Sequence, residues 1–311
     1  MALTGTADLS TSTAAYDALA NFALRPMLHF DQVARKRPTR QTHRGASVTF
    51  DFYDDLAAAT TPLTETADVT PVAMSDSTVT VTLVEYGNAV QTTAKLRGTS
   101  FLEVDADAAN VIGYNAGLSI DTLARTQLEG GTNVRYAGSA TSRATVAATD
   151  TLSVADIRYV AAKLRSNSAM PLIGSLFVGF MHPDVAYDVR AETGNDAWVN
   201  PANYSDAARR WNGIVGAFEG VMWIETPRAS LLTDAGSTTT DVYLTTVVGR
   251  EALAKAFSSV VSGPTPRIVI GPQTDALRRF NTVGWYWLGG HARFREAALY
   301  RIESASSIGA N

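Results

Sequence analysis

Two runs of strictly alternating residues constrain this chain most. In SVTFDFYDD (47–55), Val48, Phe50 and Phe52 fall on one side and Thr49, Asp51 and Tyr53 on the other. In STVTVTLVEYGNAVQTT (77–93), Val79, Val81 and Leu83 oppose Thr78, Thr80 and Thr82. A period of two is the pattern of a strand. The stretch between them, TTPLTETADVTPVAMSDS, holds two prolines and little apolar periodicity. The pair is expected to form a long hairpin with a loose outer end. An isolated two-stranded ribbon is marginal in water, so this one is expected to lie mainly on another subunit.

Charge sharpens that expectation. From Arg25 to Arg44 there are six bases (Arg25, Arg35, Lys36, Arg37, Arg40 and Arg44) against one acid, Asp31. From Gly45 to Asn110 there are ten acids against two bases, Lys95 and Arg97. A basic arm beside an acidic stretch suggests pairing, within a chain or between copies. The expected contact sets Arg25, Arg35, Lys36, Arg37, Arg40 and Arg44 against Asp51, Asp54, Asp55, Glu65 and Asp68 of an adjacent copy. Two rivals stand beside it: a solvated basic loop, and an arm that meets nucleic acid. Phe30 is the arm's one central aromatic, so a base-stacking surface is not suggested.

The rest of the 311 residues reads as an α+β chain about two domains long. Ala15–Leu28 is expected to be a short helix with Tyr16, Leu19, Phe22 and Ala23 on one face. From Glu103 to Glu129, apolar residues such as Val104, Ile112, Leu123 and Leu128 recur near helical spacing. Asp105 and Asp107 suit the first turn, and Gly130-Gly131 end it. Gly113 and Gly117 invite close packing of a strand or neighbour on this helix. NVRYAG is a short strand, and Ser153 caps a helix over LSVADIRYVAAKLRSN. GSLFVGFMHP is a buried strand, with Pro183 opening the helix DVAYDVR. DVYLTTVVGREALAKAFSS is expected to run from strand into helix. PRIVIG is a strand, and the tail is expected to be a hairpin turning at Gly289-Gly290.

Signatures of enzymatic chemistry are sparse. The chain has no cysteine, which excludes disulfides, thiolate metal sites and thiol catalysis. Its four histidines (His29, His43, His182 and His291) make no HExxH or zinc-finger spacing. GxGxxG, GxxxxGK[ST] and GxSxG are absent. The best candidate cluster is His182 with Asp184 and Asp188, although a histidine before proline at a strand end ordinarily bonds the backbone. Asp54 and Asp55 point to opposite faces of a strand. His291 is expected to be a polar turn residue. In Trp285-Tyr286-Trp287 the two indoles share a face, which favours core or subunit interface over a sugar or base platform. No cofactor or metal is expected. No run of eighteen apolar residues occurs, and the first twenty lack the basic start and apolar core of a secretory signal.

Nine segments, in order, carry a resemblance: TPLTETADVTP (61–71), VTLVEYGNAVQTTAKL (81–96), DTLARTQL (121–128), TNVRYAG (132–138), LSVADIRYVAAKLR (152–165), FVGFMHPDVAYDVRAE (177–192), YSDAARRWNGIVGAFEGVMWIET (204–226), VVGREALA (247–254) and VGWYWLGG (283–290). From Ser47 onward the chain resembles tailed-bacteriophage major capsid proteins of the Hong Kong 97 type, and more closely the capsid family named after coliphage N-four. No motif before Ser47 contributes to this resemblance.

The resemblance implies a capsid fold with an N-terminal arm (1–46), an extended hairpin loop (47–98), a peripheral domain with a spine helix (99–151, completed by 273–311) and an axial domain (152–272). It implies an icosahedral shell of hexamers and pentamers around packaged double-stranded DNA. A portal and scaffold or decoration proteins would be partners, with no membrane, and assembly would take place in the bacterial host cytoplasm. An encapsulin-like nanocompartment shell and a soluble hydrolase using His182 and Asp184 are the alternatives. Some members weld subunits through a lysine. Here the lysines are Lys36, Lys95, Lys163 and Lys255, and none lies in the outer hairpin from Leu56 to Thr78. A weld from the loop tip is therefore not expected.

Overall fold

A computed structural model describes residues 28–39, 47–53, 55–63, 65–66, 68–100, 104–192, 214–271, 275–277 and 279–309. The short helix expected before Leu28 lies outside them. After a 3-10 turn at Phe30–Val33, the strands in chain order are β1 (Arg35–Thr39), β2 (Ser47–Tyr53), β3 (Asp76–Thr82) and β4 (Val84–Thr93). Helices α1 (Ala94–Thr99) and α2 (Val104–Glu129) follow, then β5 (Val134–Tyr136), α3 (Val154–Ser166), β6 (Phe177–Met181) and α4 (Pro183–Ala191). The rest is β: β7 (Ile214–Phe218), β8 (Val221–Glu225), β9 (Leu231–Leu232), β10 (Val242–Val248), β11 (Leu253–Ser258), β12 (Arg267–Gly271), β13 (Phe280–Arg293) and β14 (Leu299–Ser304).

Two sheets make the body. A seven-stranded sheet runs β5-β14-β10-β6-β8-β7, with β9 also on β10. Helices α3 and α4 cover it, burying Ile157, Val160, Leu164, Val185 and Val189 with Phe177, Trp223 and Ile302. Ser153 caps α3 by accepting from the Asp156 amide, as its sequence pattern implies. The second sheet runs β1-β11-β13-β12, with β4 also on β13. Helix α2 lies on it, packing Ile112, Ala116 and Ile120 against Val283, Trp285 and Trp287. The expected boundary at 272/273 falls between β12 and β13, which are neighbours in this sheet, while β14 of the tail pairs with β5 and β10 in the other.

Two sequence expectations are corrected. The stretch EALAKAFSS is a strand, not a helix. In β11 every residue is buried, with β1 on one side and β13 on the other. A strand buried on both faces reads as a continuous apolar run, and pairing overrides the helix propensity of its alanines. Nor does the tail turn at Gly289-Gly290, because β13 runs straight through both. A Cβ at Gly289 would sit 2.3 Å from the Trp287 ring, and one at Gly290 would sit 2.2 Å from the Thr82 carbonyl oxygen. These glycines are there for close approach, not for a turn.

Candidate assembly surfaces

Two segments leave the ordinary path of a folded body: 28–39 and the ribbon β2–β3. The first is clasped by the body. Phe30 is buried, with its ring centroid 4.6 Å from that of Phe180. Its amide donates to Asp121 Oδ1 at 2.8 Å, and Arg228 Nε donates to the other oxygen of that carboxylate at 3.3 Å. Asp31 then reaches inward. Lys255 Nζ donates to both its oxygens at 2.8 and 2.7 Å, and His291 Nε2 lies 2.9 Å from Oδ1. The Lys255 ammonium also sits 5.2 Å from the Trp287 ring centroid, a cation–π contact. Burial opposes the charge on Asp31, but the hydrogen bond from His291 and the Lys255 ammonium outweigh it and hold its pKa at about 2. Burial pushes the Lys255 pKa below the usual lysine range, with Asp31 opposing. Beyond the 3-10 turn, β1 adds to β11 in parallel, Arg35 facing Ala254 and Thr39 facing Ser258. Gly117 of α2 receives the segment's start: a Cβ there would lie 2.8 Å from Leu28 Cδ1. The close neighbour expected from the Gly113/Gly117 spacing is met at Gly117 alone; no described atom lies within 4 Å of a Cβ at Gly113.

The ribbon is anchored at its base alone. Its register pairs Ser47 with Thr82 and Tyr53 with Asp76, so the hairpin uses only the first half of the second alternating run; the other half, β4, leaves the ribbon and pairs with β13 in the body. Phe50 and Val81 are buried there beside Ala254, Ala256 and Phe294, with the Phe50 and Phe294 rings 5.7 Å apart. Beyond Tyr53 the described residues up to Ser75 have no strand or helix, and all are exposed. Leu63 is 78% exposed and Val72 74%, with Leu56, Val69 and Met74 more than half exposed.

The expected contact residues distribute unevenly. Arg25, Arg40, Arg44 and Asp54 lie outside the described residues. Arg35 pairs with Glu251 of its own chain at 2.6 Å. Lys36 is exposed in β1 and faces Lys255 in register, and Arg37 faces Ala256. Asp51, Asp55, Glu65 and Asp68 are all exposed on the ribbon.

Polar residues singled out for chemistry hold the fold instead. His182 caps α4, its Nδ1 accepting from the Asp184 amide at 3.3 Å, and burial lowers its pKa against the pull of Asp184 and Glu225. Asp184 accepts from the Tyr243 hydroxyl at 2.8 Å, and Asp188 accepts from the Ser307 amide and hydroxyl. His291 is corrected: it lies in β13 with its side chain buried against Asp31, and it is not a turn residue. Trp285 and Trp287 are buried on the face that meets α2, and Trp285 Nε1 donates to Asn115 at 2.8 Å. Tyr286 alternates away and donates to Glu85. The Asp31–Lys255–His291 cluster escaped sequence reasoning. Its signals were slight: a lone acid in a basic segment, and a lone lysine in an apolar run. Among the described residues no helix is long and apolar enough to cross a membrane, and no group of His, Asp or Glu could hold a metal ion.

A two-sheet body crossed by a 26-residue helix, with a clasped N-terminal segment and a projecting ribbon, is the build of a Hong Kong 97-type shell subunit. The chain belongs to the phage capsid protein family, whose model matches residues 13–308. The capsid protein of Ralstonia phage GP4 superposes with a TM-score of 0.77 at 16% identity, covering 100% of both chains. The cyanophage Pam1 capsid gives 0.71 at 16% identity, covering 98% of this chain and 100% of that one. The capsid of cyanophage P-SCSP1u gives 0.71 at 14% identity, covering 98% and 95%. No curated protein sequence matches. The chain is a structural virion protein, a major capsid subunit that assembles with its own copies.

Proposed function

We propose that this subunit builds a closed icosahedral shell of hexamers and pentamers around packaged double-stranded DNA. Assembly takes place in the host cytoplasm with a portal at one vertex, and the subunit does no catalysis. The observation that carries this reading is the outer ribbon. Five apolar side chains stand exposed between Leu56 and Met74, where the described residues form no strand or helix. Exposed apolar clusters of this kind mark surfaces covered in an assembly. The acidic ribbon takes the arms of adjacent copies as partners, through Arg25, Lys36, Arg37, Arg40 and Arg44. Individual exposed pairs are worth about 0–1 kcal/mol, and repetition around a shell multiplies them. Arg35 is already engaged with Glu251 in its own chain, so its share is smaller.

Replacing residues 56–74 with a short turn tests this. The truncated subunit should stay folded and soluble, with the wild-type melting temperature, and electron microscopy should show no closed shells. Normal shells from that variant would overturn the role of the ribbon.

A further inference from the structure

The loop between α3 and β6 sits against the turn between β10 and β11. The Arg250 amide donates to the Met170 carbonyl at 2.7 Å. A Cβ at Gly249 would lie 2.8 Å from that same oxygen, so glycine is what lets the two loops meet. The junction leaves Met170 58% and Ile173 49% exposed. Beside it lies a cavity of about 280 Å³, where Val33, Ala34 and Leu172 meet Arg35, Arg250 and Glu251. The Arg295 amide joins the same turn by donating to the Glu251 carbonyl at 3.1 Å. Of these three guanidinium groups only that of Arg35 is neutralised, by Glu251. Arg250 and Arg295 are exposed, and among the described residues neither has an acid partner. Arg295 sits instead 5.8 Å from the Phe52 ring centroid, at the root of its own ribbon. The surface is apolar, concave and net positive.

We propose that this surface receives the outer ribbon of an adjacent copy. The apolar residues of 63–72 would cover Met170, Ile173 and the cavity, with Glu65 and Asp68 facing Arg250 and Arg295. The ribbon matches the surface in both respects. It interleaves Leu63, Val69 and Val72 with Glu65 and Asp68, and from Leu56 to Ser75 it holds no base. Apolar patches of this kind mark interaction sites, and complementary charge fixes the register of a contact and rejects wrong partners. The chain's own ribbon does not fill the site, because its described residues from Asp55 to Ser75 are all exposed. β1 begins at Arg35, on the rim of the cavity, so the surface continues the contact between arm and ribbon. Unlike surfaces that meet head to tail close into a ring when the rotation allows, as hexamers and pentamers require. The inference rests on the shell reading and names the body surface that the ribbon covers.

Photo-crosslinking locates the contact without presupposing a register. Subunits with Leu63 replaced by p-benzoylphenylalanine are assembled with an excess of unmodified subunits and irradiated. A covalent dimer band should appear. Peptide mapping should place the attachment on the second chain within 32–36, 168–176 or 249–252. Closed particles that give no dimer, or dimers attached elsewhere, such as along 259–271, overturn the docking and leave the shell reading standing. Dimers attached at the expected segments without closed particles keep the docking and overturn the shell reading. Neither dimers nor particles overturns both. In a second variant, Arg250→Glu turns the rim against the acidic ribbon. That subunit should keep the wild-type melting temperature and lose most of its particle yield. Arg250→Glu particles in wild-type yield also overturn the docking.

Discussion

The segment 28–39 and the ribbon beyond Tyr53 are neighbours in sequence, and each looks like a projection without a partner. They end differently. The first carries one large aromatic and one acid, and the body has a place for both: Phe30 on Phe180, and Asp31 between Lys255 and His291. The ribbon carries more apolar side chains, yet only those of β2 and β3 find a core: Phe50 and Val81 are buried with Val48, Phe52 and Val79 packed beside them, while the described apolar residues from Leu56 to Met74 stay exposed. Apolar content alone therefore does not decide whether a segment folds onto its own body. A matched pocket does, here made of a ring for a ring, and an ammonium and an imidazole for one carboxylate.

Phe30→Ala should have the largest effect on the isolated subunit. Truncating a buried Phe costs about 3–5 kcal/mol, so the melting temperature should fall and proteolysis near residue 30 should rise. Wild-type resistance to protease in that variant would show that the aromatic anchor does not hold the clasp. Acid should weaken the clasp next. The folded-state pKa of Asp31 is about 2, below the ordinary value of about 3.9 for an unfolded aspartate. Its contribution to stability is complete above that ordinary value and is lost as pH falls toward the folded one. Between pH about 4 and about 2, wild type should lose stability relative to Asp31→Asn, read by thermal melts at each pH. Parallel curves would remove Asp31 from the clasp's energetics. The smallest effect on the subunit belongs to Leu63→Ser. An exposed side chain away from any packed feature changes stability by within about 0.5 kcal/mol, while shell yield should drop. A Leu63→Ser subunit that melts well below wild type would erase the contrast between the two segments.

Legibility followed locality. The ribbon strands, α2, α3, α4 and β6 were readable because period and caps are written in adjacent residues. The shared face of Trp285 and Trp287 was readable for the same reason. β11 was not, because its alanines say helix while two neighbouring strands, more than thirty residues away in β13 and more than two hundred in β1, impose an extended chain. Gly289-Gly290 was misread because a turn and a close approach demand the same residue. Only the Trp287 ring and the Thr82 carbonyl show which applies.

By itself the sequence determined the inventory: a basic segment, an acidic ribbon, a long helix, no thiol chemistry and an order of motifs typical of capsid subunits. It also determined that the ribbon could not bury itself, since a two-strand alternation offers no third element to cover it. Tertiary structure decided which charges are spent inside the subunit. Asp31 meets Lys255 and His291 across 224 and 260 residues, and Arg35 meets Glu251 across 216. No local pattern encodes such pairs. An ion pair depends on where two charges end up in space, and folding the sheets is what brings β11 and β13 beneath the arm.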